Sequence, residues 1–232
     1  MCGRYTLTDL GKLTDPRRFS LGIVPFGFKP RFNIAPTQDA PIILDASPET
    51  ITMAHWGLIQ HWATDAKIGY RMINARAETI AEKPTFRRLF QRQRCLVLAD
   101  GFYEWQRLGN HKQPLRITFK SGAVFAFAGL WDTWDDPSAK QPKTTFTIIT
   151  TSANRLLKPI HDRMPVILKE TDEKLWLRKD LSERKALALL KPYPASDMQS
   201  AEVSPLVNSP RNDRPEVLRP IGRPILVLRR PQ

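Results

Sequence analysis

The chain begins Met1-Cys2-Gly3-Arg4, and its second residue carries the most distinctive chemistry in the sequence. Removal of Met1 would leave Cys2 with a free α-amine and a thiol on adjacent carbons. Such a 1,2-aminothiol condenses with an aldehyde to an imine, and the thiolate then closes on the imine carbon to give a thiazolidine. Both groups are nucleophiles near neutrality, with ordinary pKa values of about 8 and about 8.5. The alternative is that Cys2 is simply a small residue after the initiator.

Two further segments could carry proton-transfer groups. Glu104 stands between two aromatic residues, shortly after the apolar run 94–99. A carboxyl group beside aromatic rings should have a raised pKa, which suits a general acid or base; the alternative is a strand-end carboxylate paired with an arginine. His161, next to Asp162, could also transfer protons, or could be a loop histidine bonded to a backbone carbonyl.

A third polar segment, INARAET at 73–79, places an amide, a guanidinium and a carboxylate before a predicted helix.

Motifs for bound cofactors are missing from the sequence. It contains no Walker A loop, no G-x-G-x-x-G, no C-x-x-C and no H-E-x-x-H. We therefore expect no nucleotide cofactor and no metal site, which leaves a cofactor-free enzyme or a binding module.

The charge balance points to an anionic partner. The chain has 36 Lys and Arg against 23 Asp and Glu, for a net charge of +13. A basic protein is most often drawn to nucleic acid, although the charge could serve colloidal stability or an anionic lipid surface. Arginine and proline are concentrated in 208–232, where we expect an ordered wrap at the start and a frayed basic tail over 221–232.

Compartment signals favour the cytoplasm. The sequence has no run of 18 apolar residues and no apolar segment at its N-terminus, so we expect neither a membrane span nor a signal peptide. Two cysteines do not make a disulfide framework, and Cys95 lies in an apolar run typical of a buried thiol. A reducing cytoplasmic location is expected, associated with the nucleoid if the source is bacterial.

Short strands with a few helices are the elements that must position these groups. Alternating or apolar runs predict strands at 3–7, 50–58, 94–99, 102–106, 114–119, 123–131 and 144–151. Residues 107–112 predict a hairpin loop. Helical spacing predicts helices at 78–93, 152–158 and 171–190, with Pro84 breaking or restarting the first and Thr171 capping the longest. This order favours an α+β fold: one domain over 1–220, built on a mainly antiparallel, barrel-like β-sheet with a few peripheral helices.

Seven segments occur in an order that resembles a known family. They are MCGRY (1–5), FNIAPTQ (32–38), WGL (56–58), INARAET (73–79), RCLVLADGFYEW (94–105), FAGLW (127–131) and IHDRMPV (160–166). The chain is similar over about residues 1–207 to the SOS-response-associated peptidase (SRAP) family, the abasic-site processing proteins. None of the four positions that match the family's active site departs from the pattern.

The resemblance implies an active site and a DNA surface. The family's mature N-terminal cysteine forms a thiazolidine with the ring-opened aldehyde of an abasic deoxyribose in single-stranded DNA. The implied catalytic residues are Cys2, Asn74, Glu104 and His161. The implied DNA-contacting residues are Arg4, Asn33, Pro36, Trp56, Arg76 and Arg163, to which base stacking on Trp62 is added on physical grounds.

Three functions of different classes follow from these observations. The first is a monomeric enzyme that crosslinks itself to abasic single-stranded DNA and can reverse the crosslink or act as a lyase. The second is a basic single-stranded DNA-binding module without chemistry. The third is a thiol peptidase, because Cys2, His161 and Asn74 superficially resemble a thiol-protease set. Met1 could be removed by the chain itself or by an aminopeptidase.

Overall fold

Strands dominate the computed structural model, which describes residues 2–9, 11, 29–136, 141–222 and 225–226. The strands are β1 (Tyr5–Leu7), β2 (Arg31–Ile34), β3 (Asp39–Leu44), β4 (Ser47–Trp56), β5 (Asn74–Arg76), β6 (Arg94–Ala99), β7 (Gly101–Leu108), β8 (His111–Phe119), β9 (Phe125–Trp134), β10 (Lys143–Ser152), β11 (Arg163–Pro165), β12 (Met198–Glu202) and β13 (Ile225–Leu226). The α-helices are α1 (Pro84–Arg92), α2 (Glu170–Trp176) and α3 (Glu183–Leu189).

Five strands close into a barrel in the order β10-β4-β3-β6-β9, with β9 pairing back onto β10. All of these pairs are antiparallel except β10 with β4, which is parallel. Closure leaves no exposed sheet edge, and it suits strands such as β6, in which every residue is buried. β10 pairs with β4 and β9 through its first half and with β5 and β11 through its second half.

The remaining strands form an antiparallel sheet in the order β13-β12-β8-β7-β1-β2. The chain passes from barrel to sheet at Asp100, between β6 and β7. The carboxylate of Asp100 accepts hydrogen bonds from the Thr6 hydroxyl (2.5 Å), the Thr8 backbone N–H (2.5 Å) and the Arg116 guanidinium (3.1 Å). These bonds hold β1 at the seam between barrel and sheet. The predicted α+β, single-domain, barrel-like architecture is confirmed.

The strand predictions are largely confirmed, with shifted ends. β1 begins at Tyr5 rather than at residue 3. The predicted hairpin is present as β7 and β8, but its turn is only Gly109-Asn110 rather than 107–112. Gly109 has φ of +59°, in the left-handed region that a tight hairpin turn requires and that glycine adopts without strain.

The helix predictions need three corrections. Pro84 does restart a helix, because α1 begins there and 77–79 forms only a 3-10 turn. The predicted helix 152–158 is wrong: β10 runs to Ser152 and residues 155–160 form only turns, which begin where the Asn154 side-chain oxygen accepts from the N–H groups of residues 156 and 157. The predicted helix 171–190 is also wrong. It is divided into α2 and α3, and Lys169 rather than Thr171 is the N-cap of α2.

A buried arginine explains the break after α2. Arg94, 1% exposed, donates to the carbonyl oxygens of Trp176 (2.8 Å) and Arg178 (2.5 Å). The same guanidinium donates to the Phe90 carbonyl at the end of α1. The carbonyls of Phe90 and Trp176 lie in the last turns of α1 and α2, where no intrahelical N–H reaches them, so the cation satisfies acceptors that a longer helix would have satisfied internally.

The segment after β12 wraps over the sheet, as predicted for the start of the C-terminal region. Its valines, Val203, Val207 and Val217, form a small buried cluster with Tyr103. Asp213 accepts from the Phe32 and Asn33 backbone N–H groups and from the Arg31 side chain. Most of the predicted tail 221–232 lies outside the described residues, and its boundary at 220 stays a prediction.

Candidate active site

The segment that carries Cys2 lies beside β7, the strand that carries Glu104. β1 and β7 pair antiparallel with Tyr5 opposite Phe102, and the Tyr103 N–H donates to the Arg4 carbonyl at 2.9 Å. Extending this register places Glu104 opposite residue 3. Burial raises the pKa of the Cys2 thiol far above its ordinary value, and the charge of Glu104 raises it further. The thiol and the carboxyl group therefore share one electrostatic environment.

Asn74 ties the N-terminal segment to the barrel. It is the first residue of β5, which pairs with the second half of β10, and its Nδ2 donates to the Cys2 carbonyl oxygen at 2.8 Å. Its Oδ1 is buried and has no hydrogen-bond partner within the part of the chain that the structure describes. The preceding carbonyl, of Ile73, accepts from the Trp56 indole N–H at 2.9 Å, which fixes the start of this strand.

Glu104 is an ionisable side chain held almost out of water. It is 3% exposed and lies within β7 rather than at the end of the strand. Burial, with a smaller contribution from the charge of Asp162, raises the pKa of Glu104 to about 7. The protonated and ionised forms are then both accessible at neutral pH. This is the property expected of a general acid and base.

His161 lies in the loop before β11, and this loop contacts β7, the strand that carries Glu104. The Gln106 side chain of β7 donates to the Pro159 carbonyl of this loop at 3.4 Å. The Arg163 backbone N–H donates to His161 Nδ1 at 3.0 Å, so the proton of the neutral ring lies on Nε2. Nδ1 is also 2.8 Å from the Asp162 carboxylate, which would stabilise the charged ring. Burial nevertheless lowers the pKa of His161, which favours the neutral imidazole at neutral pH.

The four predicted catalytic residues are thus brought to one seam from four distant parts of the sequence. Asn74 contacts Cys2 directly, Glu104 acts on the thiol through its charge, and Asp162 links Glu104 electrostatically to the His161 loop. In the chain that carries Met1, the Cys2 side chain has no exposed surface. The arrangement holds a protected thiol next to a near-neutral acid.

Two residues predicted to contact DNA have accessible side chains. Arg76 is exposed on β5, two residues after Asn74. Trp62 is 62% exposed and lines a cavity of about 600 Å³. Pro36 is half-buried at the corner between β2 and β3, next to Thr37, whose φ is +71°.

Two other residues predicted to contact DNA are completely buried in the DNA-free protein, and their DNA contacts stay predictions. Trp56 is completely buried, stacked on Phe146 with ring centroids 6.3 Å apart, so it has no face to offer a base. Asn33 is also completely buried, and its Nδ2 donates to three carbonyls of the C-terminal wrap. Motif membership identified both residues, but their role here is to support neighbouring segments.

The two remaining arginines are engaged inside the protein. Arg4 Nη1 donates to Asn33 Oδ1 and to the Val207 carbonyl, both at 2.8 Å, and its guanidinium lies 5.8 Å from the centre of the Trp105 ring. Arg163 is ion-paired with Glu78 at 2.7 Å. Neither guanidinium is simply available to a phosphate.

Sequence reasoning missed two features, one beside His161 and one in the segment before Asn74. Glu78 was noted only as the carboxylate of INARAET, with no signal that it would pair with a residue 85 positions away. Tyr70, 64% exposed, shares the cavity of Trp62 with Lys67 and Arg71. The alternation of aromatic and basic residues over 62–71 could have indicated this cavity from the sequence alone.

Over the described part of the chain, no group of three or more His, Cys, Asp or Glu side chains is placed to hold a metal ion. Across the same residues, no helix has the length and apolar character needed to cross a bilayer.

Comparison with known proteins identifies the family. The sequence model of the SOS response associated peptidase (SRAP) family matches residues 1–210. The abasic site processing protein YoaM of Bacillus subtilis is 49% identical over 226 residues, covering 94% of this chain and 97% of that protein. The abasic site processing protein HMCES of Xenopus tropicalis is 34% identical over 229 residues, covering 84% and 67%.

A solved structure agrees with the sequence comparison. The crystal structure of a protein from Bacteroides thetaiotaomicron superposes with a TM-score of 0.84 at 29% identity, covering 94% of this chain and 99% of that one. The similarity in sequence and in structure extends over nearly the whole chain. The chain belongs to the SRAP family.

Proposed function

We propose that this chain recognises abasic sites in single-stranded DNA and, after removal of Met1, forms a thiazolidine crosslink through Cys2. The observation that carries the proposal is the hydrogen bond from Asn74 to the Cys2 carbonyl, beside a buried Glu104 whose pKa is about 7. The relatives named abasic site processing proteins support the choice of substrate.

Glu104 opens the sugar. An abasic deoxyribose is mostly a closed hemiacetal, which carries no free aldehyde. With a pKa of about 7, roughly half of the Glu104 side chains are protonated at neutral pH. The protonated form donates to the ring oxygen, and the hemiacetal O–H proton is lost as the aldehyde forms at C1′.

The Cys2 amine then attacks the aldehyde. A C–N bond forms at C1′, water leaves, and an imine remains. Asn74 orients this step because its Nδ2 holds the Cys2 carbonyl, while its unpartnered Oδ1 can accept a hydrogen bond from the amine.

Ring closure completes the crosslink. The imine nitrogen first takes a proton from solvent to give the iminium. The sulfur then bonds to C1′, the C=N π electrons return to nitrogen, and the thiol proton passes to the Glu104 carboxylate. The net reaction joins the aldehyde and the aminothiol with loss of one water. Burial keeps the Cys2 thiol protonated until the cationic iminium lies beside it, so the thiol is protected from other electrophiles.

His161 and the DNA surface select the lesion. The neutral His161 ring, with its proton on Nε2, can donate to the opened sugar oxygen or to the adjoining phosphate. Arg76 and Trp62 are exposed for a phosphate and a base on the flanking strand. A nucleotide that lacks its base has no stacking to lose on entering the site, which favours the lesion over intact DNA.

The test is intact mass spectrometry of the protein after incubation with single-stranded DNA that contains one abasic site. We expect mature protein beginning at Cys2 and a product with the summed mass less one water. Cys2→Ala should abolish the heat-stable product but leave non-covalent binding, and Cys2→Ser should give at best a labile imine. Cys95→Ala is the matched control, because it removes the other buried thiol. Retention of Met1 in crosslinked protein, or a stable product from Cys2→Ala, would contradict the proposal.

The same experiment separates the other two functions. A binding module without chemistry would show no covalent product from the unmodified protein. A thiol peptidase needs a thiolate, whereas burial and the charge of Glu104 both favour the neutral thiol of Cys2. Ring closure needs the same thiol to lose its proton, but there the adjoining iminium is cationic and favours that loss, which a neutral peptide carbonyl does not. This difference favours an aldehyde-trapping aminothiol over a protease nucleophile.

A further inference from the structure

A bidentate ion pair joins Glu78 to Arg163 beside the proposed site. Arg163 Nη1 donates to Glu78 Oε1 at 2.7 Å, and Nη2 donates to Oε2 at 2.9 Å. Glu78 lies in the 3-10 turn Ala77–Thr79, directly after the strand that begins with Asn74. Arg163 begins β11, and its backbone N–H bonds His161. The pair therefore connects the segments that carry two of the proposed catalytic residues.

The protein fixes the Arg163 guanidinium independently of Glu78. Nη2 also donates to the Thr150 carbonyl at 2.7 Å, and the Arg163 side chain is only 16% exposed. The Glu78 side chain, in contrast, is 50% exposed. An ion pair with one partner so open to water contributes little to stability. The Arg163 guanidinium is thus fixed by the protein, and its two terminal N–H groups are directed at a carboxylate that solvent can reach.

A phosphate group can bind the Arg163 guanidinium in the same way as the Glu78 carboxylate does. Carboxylate and phosphate oxygens both accept two parallel hydrogen bonds from one guanidinium. The exposed Arg76 lies on the neighbouring β5, opposite Thr150 of β10, while Arg163 lies opposite Ser152 of the same strand. A strand of DNA with a sugar at the site would bring phosphates to this end of β10.

We propose that Glu78 occupies the phosphate position on Arg163 in the DNA-free protein, and that a phosphate of bound single-stranded DNA displaces it. The inference rests on the proposed function, since it requires DNA to bind at this seam. Displacing Glu78 costs free energy whichever DNA binds, so it lowers the affinity for single-stranded DNA of any sequence. Productive binding then depends more on contacts with the abasic sugar itself.

Only a competing anion removes Glu78 from this position. The hydrogen bonds from Arg163 hold the pKa of Glu78 below its usual range, so the carboxylate stays ionised near neutrality. Protonation therefore does not free Arg163 under conditions in which the protein would meet DNA. The exchange is a competition between two anions for one guanidinium.

The test measures non-covalent binding of the full chain to single-stranded DNA carrying a tetrahydrofuran abasic analogue, which has no aldehyde. Glu78→Gln should bind up to about fivefold more tightly at low salt, with a salt slope steeper by about 0.7. Glu82→Gln is the matched control, because it removes the same charge from an exposed position four residues away and should stay within about twofold of the unmodified chain. Melting curves verify that each variant is folded.

Two outcomes would overturn the exchange. One is a Glu78→Gln affinity that equals or falls below that of Glu82→Gln. The other is a gain from Glu78→Gln that persists when Arg163 is also replaced by Ala. A chain that binds and crosslinks normally but shows either outcome contradicts the exchange alone, whereas a chain that binds no single-stranded DNA contradicts the proposed function itself.

Discussion

Replacing Glu104 by Gln tests whether the buried carboxyl group transfers protons. Gln has nearly the same shape and can still hydrogen-bond, but it can neither donate nor accept a proton in the reaction. We expect the crosslinking rate to fall by about 10²-fold or more, the usual scale of general acid–base catalysis. Non-covalent affinity for the tetrahydrofuran analogue should stay within about twofold, because Glu104 is 3% exposed and Gln can still donate a hydrogen bond to the sugar ring oxygen.

The pH dependence gives a second, independent readout of Glu104. Its pKa is raised from 4.5 to about 7, so the folded protein binds this proton more tightly than the unfolded chain does. Stability from this group is therefore full below about pH 4.5 and is lost as the pH rises through 7. The difference corresponds to a loss on the order of 3 kcal/mol. Glu104→Gln should melt several degrees higher than the unmodified chain at pH 8 and should lose the rate inflection near pH 7.

These measurements can refute the reasoning in two ways. Single-turnover crosslinking at saturating DNA is followed by denaturing gel from pH 5.5 to 8.5 for both proteins. An unchanged rate in Glu104→Gln would reduce Glu104 to a structural carboxylate. An inflection near pH 7 that survives in Glu104→Gln would assign that titration to another group, with His161 the next to test.

Two further predictions concern a buried cation and an exposed one. Arg94→Met should lower the free energy of unfolding by about 2 kcal/mol or more in urea denaturation, because the carbonyls of Phe90 and Trp176 lose a donor while buried. A loss below about 1 kcal/mol would contradict this account. Arg76→Ala should weaken binding to single-stranded DNA and flatten its salt dependence by about 0.7 in slope, measured by fluorescence anisotropy; an unchanged slope would show that Arg76 contacts no phosphate.

Four of the five barrel strands were predicted from the sequence, whereas β3 was not. β6 and β9 were both predicted from continuous apolar runs. The helix 171–190 could not be corrected from sequence, since its apolar spacing continues across the break. What ends α2 is the Arg94 guanidinium, which is 82 residues from the Trp176 carbonyl that it bonds. The pattern of residues within a predicted helix cannot indicate a hydrogen-bond donor that lies so far away in the sequence.

The candidate site was likewise only partly predictable from the sequence. The resemblance named Cys2, Asn74, Glu104 and His161, but no periodicity could have brought them together, because their meeting depends on the pairing of β1 with β7 and of β5 with β10. A motif also cannot distinguish a residue that faces a ligand from one that supports the site. Asn33 illustrates this, since its amide bonds a wrap about 175 residues further along the chain.

A nucleophile at a chain terminus faces a physical difficulty, because termini are ordinarily the first part of a domain to fray. This fold counters the fraying from three directions. Asn74 holds the Cys2 carbonyl, the Tyr103 N–H holds the Arg4 carbonyl, and the C-terminal wrap holds the Arg4 side chain through Val207. A terminus held in this way behaves as a fixed internal residue, so in the proposed reaction the amine and thiol would meet the aldehyde at high effective concentration. The contacts that hold the Arg4 side chain inside the protein would then serve that reaction by keeping the terminus in place.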